Sequence, residues 1–479
     1  MASLGALAAL FFFFGASALA SASGQVHDAA SGGACAAQEA GDEVVQVQHA
    51  TIKAIGGRQR TSQDPATPAF FVAREPAALV AGIQVFTYES IQNGQRPQHY
   101  SSLLQRATTG EFASAGFSHV WLPPPSQGAL EHPYQPGEWY TIPGQSTLLS
   151  LTQLLSKQGI SPVCDMVLNH RTGSKTDPCN AEYVEFRKPA WSSNFIVRDD
   201  WKDGNCVSGD CAAYCNGDCV CGNADTGENF YPNPDVDHTK LQVQDDIVAF
   251  MAYLRDEFSF AGWRFDFAKG YAPKYVKQYV EKTGALFAVG EYLEYDTEAL
   301  VSWVWASGQN AFDFPQRGAL KSSIQNSNFA ALGAFSKQPG LSGVEPTKAQ
   351  PFIENHDTTD PGGQAYNPFG SDYDKMLGYA YILTHPPFPW VYMQDFDGVN
   401  GENIKLLTSI RRDVHVSPAD KLYISGETYS KAGLYAAFVG AQEECNGKLA
   451  IKLGPTEYSP CGEGWKQVAQ GEHWKVWTK

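Results

Sequence analysis

The chain has 479 residues, 43% hydrophobic and 18% charged, enough to bury the core of one large α/β unit with smaller units attached. Its 35 basic and 51 acidic residues give a net charge of −16, and no long Lys/Arg run interrupts the acidity. That balance disfavours a nucleic acid or other polyanion as partner and leaves a neutral or cationic one.

Ala6 to Ala20 is apolar and ends in small residues that fit a signal-peptidase site, Ala18-Leu19-Ala20 and Ala20-Ser21-Ala22, so residues 1–22 are expected to direct secretion. The run is short for a membrane span, and no other segment is long and apolar enough to be one. Residues 23–75 are rich in Ala, Gly, Ser, Gln and Pro and read as a loosely ordered extension.

From residue 76 onward apolar runs alternate with helical patterns. Candidate strands are Ile83 to Tyr88, Phe117 to Leu122, Ile160 to Leu168, Gly262 to Phe267, Leu286 to Gly290, Ala311 to Phe314, Pro351 to Glu354 and Phe388 to Met393. Between the fourth and fifth, Tyr275, Val276, Tyr279 and Val280 mark one helical face, with Pro273 suited to the first turn and Gly284 to the C-terminal cap. Val243, Ile247, Val248, Met251 and Leu254 mark another helix before the fourth strand, and Met376, Leu377, Tyr379, Ala380 and Leu383 one before the eighth. Eight alternating units predict an α/β fold of the (β/α)8 TIM-barrel type, with barrel parts at 76–170 and 241–411. Residues 171–240 interrupt it after the third strand as a protruding, loop-rich insertion, and the short alternating runs of 412–479 predict a C-terminal antiparallel β domain. No GxGxxG follows a strand, which lowers the dinucleotide-binding alternative.

Ten cysteines fit an oxidising compartment. Six crowd the insertion (Cys179, Cys206, Cys211, Cys215, Cys219, Cys221); disulfides are favoured over zinc because the paired spacing of zinc ribbons is lacking. Cys445 and Cys461 form the most plausible single bridge, and Cys164, inside an apolar strand, reads as a buried free thiol.

Functional groups of a barrel gather at the C-terminal ends of its strands. The third strand ends Asp165-Met166-Val167-Leu168-Asn169-His170; the fourth carries Arg264 and Asp266, the fifth Glu291, and the seventh runs into Glu354-Asn355-His356-Asp357. Parallel strands joined by a right-handed crossover bring Asp266 and Glu291 to one edge, with Arg264 on the same face as Asp266. Two acids facing one cleft are the minimum equipment for cleaving a glycosidic bond.

In these segments the sequence resembles the α-amylases of glycoside hydrolase family thirteen, above all plant-type and bacterial maltooligosaccharide-forming members. DMVLNH, GWRFDFAKGY, VGEYL and FIENHDT stand where that family has its four signature segments, and the likeness extends over about residues 82–479, including His119 to Pro125 and Tyr134 to Gly137. The resemblance implies a retaining hydrolase of α-1,4-glucans, with Asp266 as nucleophile, Glu291 as general acid/base and Asp357 as third carboxylate. It implies substrate contacts by Tyr134, His170, Arg264, Lys269 and His356. It also implies a Ca²⁺ ion held by Asn169, Asp225 and backbone oxygens at Gly270 and Gly222, hard donors that suit calcium; a monomer is expected. Asp199, Asp200, Asp203, Asp210 and Asp218 read as a solvated acidic loop. Electrostatics add two expectations: Arg264 holds Asp266 ionised, and an apolar setting beside Val289, Tyr292 and Leu293 lifts Glu291 toward about 6. Leu293 stands where plant relatives carry Trp, and Trp139 to Gly144 replaces the family's Leu-Tyr-Asp-Leu run. A maltooligosaccharide-releasing or glucosyl-transferring enzyme on the same scaffold, and a non-catalytic carbohydrate-binding protein, remain the alternatives.

Overall fold

The computed structural model describes residues 79–479 except 130–131, 174, 177–182, 185, 192, 199–221, 231–232 and 362–364. The expected signal segment and extension, the six clustered cysteines and the five aspartates from Asp199 to Asp218 lie outside the described residues.

Eight parallel strands form one sheet: β1 (Gly82–Gln84), β2 (His119–Leu122), β3 (Ser161–Met166), β4 (Gly262–Phe265), β5 (Phe287–Gly290), β6 (Asn310–Phe312), β7 (Ala349–Gln350) and β8 (Trp390–Tyr392). β1 to β7 pair in sequence order, and β8 pairs with β1. A parallel bridge between Phe352 and Trp390 closes the ring, with Trp390 N–H donating to the Pro351 carbonyl at 2.8 Å. The principal crossover helices are α1 (Arg96–Thr108), α2 (Gln145–Lys157), α3 (Leu241–Phe258), α4 (Pro273–Thr283), α5 (Thr297–Ser307), α6 (Phe314–Gln325), α7 (Asp372–Thr384) and α8 (Gly401–Asp413). The helix signals act where expected: Pro273 opens α4, and Gly284 ends it at φ 63° with its N–H on the Val280 carbonyl. Val243, Ile247, Met251 and Leu254 face the core from α3, as do Met376, Leu377, Tyr379, Ala380 and Leu383 from α7.

Some strands end sooner than their apolar runs. The predicted seventh strand, Pro351 to Glu354, is displaced to Ala349–Gln350, because Pro351 offers no N–H to the ladder. Phe314 is helical and not strand, since the Asp313 carboxylate accepts from Gln316 N–H and caps α6. After Gln84 the chain leaves the sheet although Val85 and Phe86 stay fully buried.

Five antiparallel strands follow: β9 (Leu422–Ile424), β10 (Tyr435–Val439), β11 (Leu449–Leu453), β12 (Lys466–Gly471) and β13 (Trp474–Thr478), in the order β9-β10-β11-β13-β12. β12 is an edge strand in which only Ala469 is buried, so it carries no apolar face. Cys445 and Cys461 form a disulfide with Cα atoms 4.8 Å apart, and Cys164 is a buried free thiol.

Candidate active site

The interior of the barrel is built from alternate strand residues, and at its C-terminal end these turn from apolar to charged. Asp165 on β3 and Arg264 on β4 are register partners, and Arg264 and Asp266, two apart, share a face. Arg264 is fully buried, with its guanidinium carbon 4.8 Å from the centre of the Trp121 ring. Its Nη1 donates to Asp165 Oδ1 at 2.8 Å and to Asp266 Oδ1 at 2.6 Å. Its Nη2 stands 2.7 Å from Glu291 Oε2, off the hydrogen-bond direction, so that contact is an ion pair without an aligned bond. Asp266 and Glu291 are thereby held on the two terminal nitrogens of one guanidinium. Backbone bonds fix the spacing, since Glu291 N–H donates to the Phe265 carbonyl and Phe267 N–H donates to Glu291 Oε2 at 3.1 Å.

Asp357 arrives from a different device. Asn355 caps the short helix His356–Thr359, accepting from the N–H groups of Asp357 and Thr358 at 3.0 and 2.9 Å, and Thr358 answers the Asn355 N–H in a capping box. That turn presents Asp357 to a cavity of about 490 Å³ whose wall also includes Asp266 and Glu291.

Burial governs the charges. Glu291 is pushed up to about 7, first by burial and then by the nearby Asp357, with Arg264 opposing. Asp165 rises to about 6 for the same leading reason. Asp266 also rises well above the usual carboxylate range: burial, with Glu291, Asp165 and Asp357 close by, outweighs Arg264. Arg264 thus opposes the rise at Asp266, as expected, without cancelling the effect of burial, and it shares its charge among three carboxyls. Within the pair, the aligned bond from Nη1 goes to Asp266, which favours the anion there and the proton on Glu291.

The other sequence candidates fall into two groups. Tyr134, His170 and Lys269 line the cavity with the acids. Tyr134 donates its hydroxyl to Asp165 at 2.6 Å, His170 stacks on Phe230 at 4.0 Å, and Lys269 pairs with Glu294 at 3.1 Å and Glu228 at 3.3 Å. Arg264 and His356 lie beneath the wall. His356 is kept neutral by burial, takes Gln84 Nε2 on Nδ1 at 2.8 Å, and is stacked by Tyr134 at 5.1 Å. Sequence reasoning missed Tyr88, which lines the cavity and donates to Asp357 Oδ1, and Asp165, which anchors Arg264. Tyr88 had a signal, since it closes the first apolar run; Asp165 had one in its place between the inward-facing Val163 and Val167.

Comparison with known proteins decides the family. Residues 420–478 match the α-amylase C-terminal β-sheet domain. Over 396 residues the chain is 32% identical to probable α-amylase 2 of Arabidopsis thaliana, covering 77% of this chain and 88% of that protein. The chain belongs to the α-amylase family. α-Amylase 3, chloroplastic, of the same plant is 31% identical over 420 residues, 82% of this chain and 43% of that longer protein. The solved α-amylase of Anoxybacillus superposes with a TM-score of 0.61 at 14% identity, over 84% of this chain and 98% of that one, a likeness of fold.

α-Amylase membership raises the question of calcium, and one part of the structure fits it. Asn169 Oδ1 is buried without a hydrogen-bond partner, while its Nδ2 donates to Asp235 at 2.6 Å. A Cβ on Gly270 would stand 1.9 Å from that oxygen, and one on Gly227 would meet the Lys269 carbonyl and Gly270 at 2.3 Å. Asn169, Gly270 and the loop bearing Asp225 therefore converge, with oxygen donors of the kind Ca²⁺ takes. Gly222 packs against the Ile196 carbonyl and Asp237.

Proposed function

We propose that this α-amylase-family glycoside hydrolase cleaves α-1,4-glucosidic bonds within starch-like glucans by double displacement with retention. The supporting observation is the pair of carboxyls, Asp266 and Glu291, held by one guanidinium at the wall of a cavity of about 490 Å³.

Glu291, its carboxyl pushed to about 7, enters the cycle protonated and gives that proton to the glycosidic oxygen as the bond to C1 breaks. Arg264 engages Asp266 Oδ1, which assigns the attack on C1 to Oδ2 and gives a glycosyl ester. Water then yields a proton to Glu291 and attacks C1, releasing an α-anomeric product and the Asp266 carboxylate. Asp357, beside Glu291 and facing the same cavity, stabilises the positive charge that builds on the sugar ring. The neutral His170 and the Tyr134 ring form the wall against which the sugar packs.

When bound, a calcium ion would tie the inserted segment to the barrel through Asn169, Asp225 and the Gly270 backbone. It takes no part in the proton transfers. The apolar run Ala6 to Ala20 and the Cys445–Cys461 bridge favour action outside the cell.

The test is hydrolysis of soluble starch followed by NMR and product chromatography. Mixed-length maltooligosaccharides released as α-anomers support the reading, and β-anomers overturn double displacement. A single short product from chain ends would replace internal cleavage by exo action. Asp266→Asn and Glu291→Gln should each lower the rate at least ~100-fold.

A further inference from the structure

Tyr88 is fixed more firmly than a loop residue needs to be. Beyond β1 the chain stays anchored by Val85 and Phe86, both fully buried, and by the buried Ile91. Between these anchors Thr87 and Ser90 close the turn reciprocally: Thr87 N–H donates to Ser90 Oγ at 2.9 Å and Ser90 N–H to Thr87 Oγ1 at 3.3 Å. The Tyr88 ring packs against His356 at 5.0 Å, His132 at 5.1 Å and Tyr134 at 5.9 Å, and its hydroxyl donates to Asp357 Oδ1.

Asp357 also lies beside Glu291 at the cavity wall, near enough for its charge to lift that carboxyl. His356 Nε2 is 3.3 Å from Asp357 Oδ2 but off the hydrogen-bond direction. Among the described residues, the phenol is the neutral donor that is aligned on this carboxylate. We propose that Tyr88 is a positioning residue for the reaction, its hydroxyl orienting Asp357 against Glu291 by donation to Oδ1. The proposal rests on the double-displacement reading above. Burial, with Asp357, Asp266 and Glu291 nearby, keeps the phenol well above its ordinary range, so it stays a donor at every working pH. Losing that donor frees Asp357 to rotate and weakens its preference for the anion, and both changes act on Glu291's proton.

The experiment compares Tyr88→Phe, Asp357→Asn and the double variant on an aryl maltooligoside, reading kcat, KM and the pH profile. A hydrogen bond to a carboxylate corresponds to a loss of about 10- to 100-fold, expected in kcat with KM little changed. The acid limb of the profile should move to higher pH, and the double variant should be no slower than Asp357→Asn alone. Unchanged kcat in Tyr88→Phe, a loss confined to KM, or losses that multiply in the double variant would each overturn the proposal. Replacing Tyr88 with 3-fluorotyrosine keeps the ring and strengthens the donor; it should move the acid limb down, and no movement counts against the assignment. Full activity in Asp357→Asn would instead overturn the catalytic reading itself, a separate failure.

Discussion

Replacing Glu291 with Gln should stabilise the fold, and more so the more alkaline the solution. The carboxyl is 9% exposed and pushed from 4.5 to about 7, chiefly by burial. A group whose native value is raised stabilises the native state fully below its unfolded value, and that contribution is lost as pH rises through 7. With about 1.4 kcal/mol for each tenfold step, ionising Glu291 costs the native state about 3 kcal/mol at pH 8 and about 1 kcal/mol at pH 5.5. Gln never ionises, and it still offers an oxygen to Phe267 N–H. The advantage of Glu291→Gln over the parent should therefore grow by about 2 kcal/mol between the two pH values. Urea unfolding at pH 5.5 and 8.0, followed by tryptophan fluorescence and by far-ultraviolet circular dichroism, measures it. A difference between variant and parent that is the same at both pH values would refute the argument that burial raises this carboxyl.

Arg264→Met should have the opposite effect, leaving Asp165, Asp266 and Glu291 without their shared cation; a loss of about 3–5 kcal/mol at neutral pH, smaller in acid, is expected from the same unfolding assay. Excess EGTA should lower the melting temperature, and an unchanged one argues against structural calcium. Gly270→Ala places a methyl group where Asn169 Oδ1 now faces open backbone, so calcium titration should show at least ~10-fold weaker binding, and unaltered affinity would remove Asn169 and Gly270 from the ligand set.

The eight-fold alternation, the helix faces and the caps at Pro273 and Gly284 were legible in the sequence because they are local: spacing along the chain reports directly which side of an element is buried. So were the four polar strand endings, since any barrel collects such residues at one rim. Ends of elements were less legible. Whether Pro351 stops a ladder or Asp313 starts a helix depends on partners that a run of apolar residues does not name.

Charge was only partly legible from one dimension: the rise at Glu291 was expected, the rise at Asp266 was not. Arg264 next to Asp266 reads as a pair, but the fold brings Asp165 and Glu291 to the same guanidinium from neighbouring strands, and Asp357 to Glu291 from further round the barrel. Ionisation inside a protein depends on burial and on every charge nearby, which are properties of three-dimensional arrangement. The sequence therefore determined which acids this protein has and that they share a rim. Only the closing of the barrel decided how one cation is divided among them, and that a tyrosine from the first strand's end would reach the third.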